Sequence, residues 1–234
     1  MVTVSVIVPV YNEEQTIQPI LERVAAQRID GVSFEVVVVD DGSTDATVAR
    51  LKERPDLYAR LIARPNNGGK GAAVKDGLGA ANGEYVLFQD ADLEYDPDDY
   101  GRLLLPVLRH QADLVLGSRF AAPPYTRVFY FWHRLGNRFI TLLFNLMHNT
   151  TFTDIYTCYL LYRKALVDPL MLAATGWEQQ AEILSRAVKA GRVYYEVPIS
   201  YHGRTYGEGK KIKAYHVIAV LAKIVTEGLR PRRR

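Results

Sequence analysis

Short apolar runs that each end in a polar, carboxylate- or glycine-bearing turn recur along the first part of the chain, and this alternation leaves few architectures open. Residues 2–10 are a β-branched run that closes on Tyr11-Asn12-Glu13-Glu14. Residues 34–39 close on Asp40-Asp41-Gly42-Ser43-Thr44-Asp45, and residues 61–63 lead to Asn66-Asn67-Gly68-Gly69-Lys70-Gly71. Residues 85–88 lead to Gln89-Asp90-Ala91-Asp92-Leu93-Glu94. Continuous apolar runs bounded by turn residues read as strands buried on both faces. Helical stretches fall between them: about 13–27 with Asn12 as cap, one capped by Ser43 or Thr44 that reaches about 53, about 72–81, and about 98–109. Strand, polar turn, helix, repeated, predicts an α/β fold with a mostly parallel sheet and helices on both faces. Ligands of such sheets bind at the carboxyl ends of the strands. Every polar turn just named lies at such an end, so Asp40, Asp41, Lys70, Asp90 and Asp92 can converge although they are far apart in sequence.

Asp90 and Asp92 carry the chemistry in this reading. Alternate residues on extended backbone point to one side, and two carboxylates on one side repel unless a cation lies between them. Hard divalent ions such as Mg²⁺ or Mn²⁺ take oxygen ligands and commonly bridge to phosphates. The pair therefore reads either as a metal site under a nucleoside diphosphate or as a solvated acidic loop. It is not the start of an EF-hand, which needs Gly at its sixth position and Glu at its twelfth; here those are Tyr95 and Gly101. No G-x-G-x-x-G follows the first strand, Gly68-Gly69-Lys70-Gly71 lacks the Ser or Thr of a P-loop, and no G-x-S-x-G elbow is present. Dinucleotide dehydrogenase, ATPase and serine hydrolase lose ground together.

Further along, residues 114–120 read as a strand and turn, 121–127 with Pro123-Pro124 as a loop, 160–162 as a strand, 180–190 as a helix and 193–197 as a strand. Between 128 and 148, Arg134, Asn137, Arg138, Thr141, Asn145 and His148 share one narrow helical face. Phe131, Trp132, Leu135, Phe139, Leu142, Leu143 and Leu146 cover most of the rest. A helix apolar nearly all round is buried in protein or lies in a membrane interface. The segment 203–209 is polar and glycine-bearing. A final amphipathic helix over 212–229 sets Lys213, His216, Lys223, Glu227 and Arg230 against Val217, Ile218, Leu221, Ile224 and Val225.

Length and composition fit one sizeable globular domain: 234 residues, 48% hydrophobic and 24% charged. The net charge of +3 owes much to Arg230, Arg232, Arg233 and Arg234, too little and too local for a nucleic-acid protein. Four arginines near an anionic surface contribute roughly 4 kcal/mol at about 1 kcal/mol each, enough only for peripheral, reversible membrane binding. The single cysteine, Cys158, excludes an internal disulfide and suits a reducing compartment and a core thiol. Neither a signal peptide nor an apolar run long enough for a transmembrane helix is expected. His133, His148 and His202 show no metal-type spacing.

Taken in order, Val6-Ile7-Val8-Pro9-Val10-Tyr11-Asn12-Glu13-Glu14, Val38-Val39-Asp40-Asp41-Gly42-Ser43-Thr44-Asp45, Asn67-Gly68-Gly69-Lys70-Gly71, Asp90-Ala91-Asp92 and Gly117-Ser118-Arg119 resemble glycosyltransferase family 2. The branch resembled is the dolichyl-phosphate mannose synthase-like one. Thr153-Asp154 ahead of Cys158 supports it, as does Glu196-Val197-Pro198-Ile199 followed by Arg204, Gly207, Glu208 and Lys210. The resemblance covers about residues 4–212. It implies a GT-A fold: a Rossmann-like nucleotide half, about 1–97, and an acceptor half, about 98–211, in one domain, with 212–234 as a C-terminal helix and basic tail. It implies a nucleoside-diphosphate sugar donor and inversion at the anomeric carbon. By position, Pro9, Tyr11, Glu13 and Asp41 would hold base and ribose, with Lys70 beside the donor. Asp90, Asp92 and Glu94 would bind Mg²⁺ or Mn²⁺. Arg119, Arg134, Arg204 and Lys210 would meet donor or acceptor phosphates. Asp154 and Glu182 match acidic positions of the acceptor half.

Three departures bear on the acceptor. Gly209 stands where the branch often has Ser, Cys158 where it often has Gly, and the sequence in hand stops where many relatives continue into membrane helices. The expectation is a hexosyltransferase using a UDP- or GDP-sugar and a polyprenyl phosphate, cytoplasmic or peripheral on the inner membrane face. A soluble relative acting on a sugar hydroxyl is the alternative. A hydroxyl acceptor would need Asp154 as base; a lipid phosphate, already an anion, would not.

Overall fold

In a computed structural model of the protein, residues 1–121, 131–204 and 216–231 are described. The proline-bearing loop, Lys210 and most of the glycine-bearing segment around it, the start of the expected final helix and the last three arginines lie outside the described residues. The chain runs β1 (Val2–Val10), α1 (Ile17–Ala26), β2 (Val32–Asp40), α2 (Thr47–Glu53), β3 (Arg60–Ala63), α3 (Lys70–Ala80), β4 (Tyr85–Phe88), α4 (Tyr100–His110), β5 (Leu114–Ser118), α5 (Phe131–His148), β6 (Leu160–Arg163), α6 (Gln179–Ala190), β7 (Tyr194–Pro198) and α7 (His216–Leu229), with short 3₁₀ turns between.

The strands form one seven-stranded sheet in the order β3-β2-β1-β4-β6-β5-β7. β1 pairs in parallel with β2 and β4, β2 with β3, and β5 with β7. β6 is antiparallel to both of its neighbours, β4 and β5. All strands but β6 therefore point their carboxyl ends to one edge, and β6 begins there. The sheet is covered on both faces. Phe34 and Val39 of β2 point to opposite sides. Gly77 of α3 lies so close to Val39 and Ile7 that an added Cβ would sit 2.6 Å from an Ile7 methyl. On the other side the Phe34 ring lies 5.7 Å from that of Tyr100 in α4. Val4, Val6, Ile7 and Val8 of β1 and Val37, Val38 and Val39 of β2 are fully buried, as the unbroken apolar runs require.

The first helix begins later than its polar turn suggests. Asn12 adopts a left-handed φ of 51° and does not cap α1. Its Oδ1 accepts the Thr44 N–H at 2.8 Å, and its own N–H donates to Ser43 Oγ at 2.9 Å. The residue ties the β1 turn to the β2 turn. Asp45, not Ser43 or Thr44, accepts the N–H of Thr47 at the start of α2.

Helix α5 is set with the second half of its polar stripe inward, while Arg134 and Arg138 stay exposed. Thr141 Oγ1 accepts from Ile155 N–H, Asn145 bonds the Phe152 backbone at 2.8 and 3.1 Å, and His148 Nε2 lies 3.0 Å from Ser185 Oγ. Ile140 and Phe144 are buried beside them. The large apolar residues face out: Trp132 is 74% exposed, Leu146 73% and Phe131 70%, with Leu135, Phe139 and Leu142 also exposed. Core burial of that face is thus not what the fold does with it. Packing of α7 on α5 and α6 buries Val220 and Ile224 and leaves Ile218 and Leu229 exposed. Phe144→Ala should cost about 3–5 kcal/mol in urea unfolding by opening a core cavity, whereas Phe139→Ser should stay within about 0.5 kcal/mol. Equal costs would contradict this orientation of α5.

Candidate active site

Strand direction brings seven loops to one edge: those after β1, β2, β3, β4, β5 and β7, and the loop that enters β6. The neighbours β2 and β4 of the first strand leave by opposite sides of it, which makes the β1/β4 edge a switch point of the kind where α/β sheets bind ligands. Pro9 and Tyr11 sit there, half-buried.

Asp41 is buried and fully engaged. It pairs with Arg64, and accepts from Gly68 N–H at 3.0 Å and Gly69 N–H at 2.8 Å. It thereby shapes the glycine turn that delivers Lys70. Arg64, which sequence reasoning did not single out, neutralises it. The adjoining Asp40 is 1% exposed; its Oδ2 accepts from Ser43 N–H, while Oδ1 has no hydrogen-bond partner among the described residues.

The acidic stretch after β4 is crowded. Lys70 donates to Asp90 Oδ1. Burial works against the Lys70 charge, but Asp90 outweighs it and keeps the ammonium protonated. Asp92 is pushed up to about 7, first by burial and then by the charges of Asp90 and Glu94. Leu93 between the two acids holds a left-handed φ of 62°, a conformation that costs a non-glycine residue about 1–2 kcal/mol. That turn sends Glu94 away from the pair. Its carboxylate accepts from Tyr201 O–H at 2.6 Å and Arg204 N–H at 2.7 Å. The expected ligand triple of Asp90, Asp92 and Glu94 is therefore not assembled, and no group of three His, Cys, Asp or Glu residues with metal-site geometry occurs among the described residues. Asp90 and Asp92 alone suit a divalent cation: hard oxygen donors, closely placed negative charge, and a carboxyl whose proton is held by burial and by its acidic neighbours. Cys158 adjoins them, and burial, then Asp90, push its thiol well up, so it stays a neutral core group.

Arg204 closes the edge from the β7 side. Its guanidinium forks onto Glu13 at 3.2 and 3.1 Å and also donates to the Asp92 carbonyl. Glu13 accepts as well from Thr16 Oγ1 at 2.8 Å. The loops after β1, β4 and β7 are thus tied together by one cation.

Arg119 and Asp154 form a buried pair. Arg119 Nε and an Nη donate to the two Asp154 oxygens at 2.7 and 2.9 Å, and Asp154 is fully buried. A third side-chain bond from Arg119 reaches the Tyr156 carbonyl at 2.7 Å, and its guanidinium lies 5.0 Å from the Tyr201 ring. Asp154 is thereby the counter-ion of Arg119 and has no oxygen turned to a hydroxyl acceptor. Glu196, half-buried, accepts from the Thr153 and Asp154 N–H groups and fixes that loop. Arg134 is exposed on α5, its guanidinium 5.6 Å from the Phe120 ring, at the rim. Glu182 is not at the rim. It is fully buried in α6, where it accepts from Ala173 and Ala174 N–H and pairs with Arg186 at 2.7 Å. Its amphipathic helix gave no sign that this carboxylate would be turned inward.

The raised Asp92 has a stability consequence. Unfolded, the group titrates near 3.8; folded, near 7. The folded state binds the extra proton in that window, so this group's contribution is favourable at low pH and is lost as pH rises through it. In EDTA, Asp92→Asn should therefore raise Tm relative to the wild type at about pH 8 and raise it clearly less at about pH 5. Equal shifts at both pH values would remove the claim that the carboxylates are crowded.

The glycosyl transferase family 2 model matches residues 5–170. The dodecaprenyl-phosphate galacturonate synthase of Rhizobium johnstonii is 37% identical over 119 residues, 49% of this chain and 35% of that protein. The dolichol-phosphate mannosyltransferase of Pyrococcus furiosus is 29% identical over 210 residues, 88% of this chain and 58% of that protein. The chain spans well under two thirds of the length of either. The crystal structure of Mycobacterium tuberculosis glucosyl-3-phosphoglycerate synthase with Mn²⁺, UDP and glucosyl-3-phosphoglycerate superposes with a TM-score of 0.69 at 21% identity, covering 98% of this chain and 81% of that one. That likeness shows the fold, the GT-A arrangement expected from the sequence. With its sheet, its edge of polar loops and its ordered motifs matched over most of the length, the chain belongs to glycosyl transferase family 2.

Proposed function

We propose that this domain moves a hexose, with inversion, from a nucleoside-diphosphate sugar to a polyprenyl phosphate at a membrane surface. The observation that carries the acceptor half is the outward apolar stripe of α5 beside Arg134. It supplies a surface for lipid next to a cation at the rim of the site. The names of the two curated relatives, both lipid-phosphate sugar transferases, support the same reading. No helix among the described residues is long and apolar enough to cross a membrane, so contact through α5 would be peripheral.

In this reading the donor lies along the β1/β4 edge, with Pro9, Tyr11, Glu13 and Asp41 on the nucleoside side. Asp90 and Asp92 would hold Mg²⁺ or Mn²⁺. Such an ion, when bound, offsets the charge that develops on the leaving diphosphate. Lys70 adds a second positive charge from below. Arg204 would cover the site and exclude water that would otherwise hydrolyse the sugar; the motif assigns Lys210, outside the described residues, to the same role. A lipid phosphate attacks from the opposite face as an anion and needs orientation rather than a base. Arg134 provides that at the rim, while Arg119 holds the floor. The engagement of Asp154 with Arg119 fits an acceptor that requires no base and disfavours a sugar hydroxyl, which would need a free carboxylate.

Nucleoside diphosphate release from a panel of UDP- and GDP-sugars, with Mg²⁺ or Mn²⁺, tests this directly. Release should depend on a short polyprenyl phosphate and fall at least about a hundredfold in Asp92→Ala. Release driven by sugar hydroxyls with every lipid phosphate inert would move the protein to polysaccharide or glycolipid synthesis. The membrane half has its own test. The protein should sediment with anionic vesicles, and the combined Trp132→Ser, Phe139→Ser, Leu142→Ser variant should bind at least about tenfold more weakly with its Tm kept. Undiminished sedimentation of that variant would dismiss α5 as the contact.

A further inference from the structure

Trp177 belongs to none of the motifs at the site, yet it adjoins the central ion pair. The Lys70 ammonium lies 5.2 Å from the centre of its indole, while the same ammonium donates to Asp90. Trp177 is half-buried, and its carbonyl accepts from Tyr156 O–H at 3.3 Å.

The segment that leads into Trp177 is fastened on two sides. Toward the site, the Thr175 carbonyl accepts from Gly71 N–H at 2.8 Å and Ala72 N–H at 3.3 Å, the first turn of the helix that Lys70 begins. The approach leaves no room for side chains: a Cβ on Gly69 would lie 2.5 Å from the Thr175 carbonyl oxygen, and one on Gly71 2.6 Å from that of Ala174. Away from the site, Glu182 takes the Ala173 and Ala174 N–H groups and faces Lys223 of α7 at 3.8 Å. The Trp177 ring also lies 6.1 Å from that of His216, where α7 begins. An indole fixed in this way is a wall for the ammonium, not a passing contact.

We propose that Trp177 is a positioning residue that acts through Lys70: its indole face holds the ammonium on Asp90, so that Lys70 and a divalent cation compete for that carboxylate. The proposal rests on the reading that Asp90 and Asp92 hold such a cation. Lys70 then serves as the site's own counter-ion until the metal arrives, and afterwards is released toward the diphosphate that comes with it. Trp177 sets how firmly it is held.

The test is Mn²⁺ affinity, followed by the electron paramagnetic resonance of free Mn²⁺, with no nucleotide and no sugar present. Wild type, Trp177→Leu, Trp177→Phe, Lys70→Met and the Trp177→Leu/Lys70→Met double variant are compared. Trp177→Leu should bind Mn²⁺ about two- to fivefold more tightly, the worth of one cation–π contact. Trp177→Phe, which keeps a π face, should stay closer to the wild type. Lys70→Met should bind tightest, and adding Trp177→Leu to it should change nothing further, because the indole acts only on the lysine. Trp177→Gln carries the same expectation as Trp177→Leu should the latter fail to fold. An unchanged affinity in Trp177→Leu, or the same gain in the Lys70→Met background, overturns the role of Trp177 and leaves the cation site standing. Absence of Mn²⁺ binding from every protein, Lys70→Met included, overturns the cation site and this proposal together.

Discussion

Parallel strands buried on both faces cannot place polar groups along their length, and this constraint organises the protein. The carboxylates of the site are accordingly carried at the strand ends, and the buried Ser5 within β1 needs Glu35 of β2 as its partner. Because all strands but β6 run the same way, one edge collects Asp40, Asp41, Asp90 and Asp92 from segments far apart in sequence. The antiparallel β6 adds its entry loop, with Asp154, to the same edge. Nothing about the site is local except the two-residue spacing of its acids.

An edge so rich in carboxylates needs positive charge in the folded protein itself. Arg64 neutralises Asp41, Lys70 meets Asp90, Arg204 forks onto Glu13, and Arg119 is buried against Asp154. Removing one partner of a buried pair costs about 3–5 kcal/mol because the other charge is left uncompensated. The pairs thus hold the loops in place as they balance charge. Asp92 is the exception: among the described residues it gains no comparable partner, and its raised affinity for a proton marks the place where a mobile cation has most to gain.

The outer layer follows a different logic. Helix α5 is anchored by Thr141, Asn145 and His148 to backbone and Ser185, and that anchoring turns Phe131, Trp132, Leu135, Phe139, Leu142 and Leu146 outward. An exposed stripe of this size on a folded domain marks a contact surface. Its position beside Arg134 and Phe120 sets it next to the rim of the site.

Sequence alone determined the sheet class, the strands and the gathering of the polar turns, Asp90 and Asp92 among them, at the strands' carboxyl ends, because hydrophobic periodicity and turn chemistry are local properties. The motif order carried the family as well. Only tertiary structure decided which carboxylates remain open. The spacing that suggested Glu94 as a ligand says nothing of a left-handed Leu93 that turns it to Tyr201 and Arg204. Asn12 looked like a helix cap, and its real partners, Ser43 and Thr44, lie on the neighbouring strand's turn. Glu182 became a buried brace, and Trp177 a neighbour of Lys70, through packing of α6 and α7 that no short-range pattern records. The stripe on α5 was visible in sequence, but its outward orientation was not: periodicity gives the faces of a helix, and only the groups it docks against choose which face is buried.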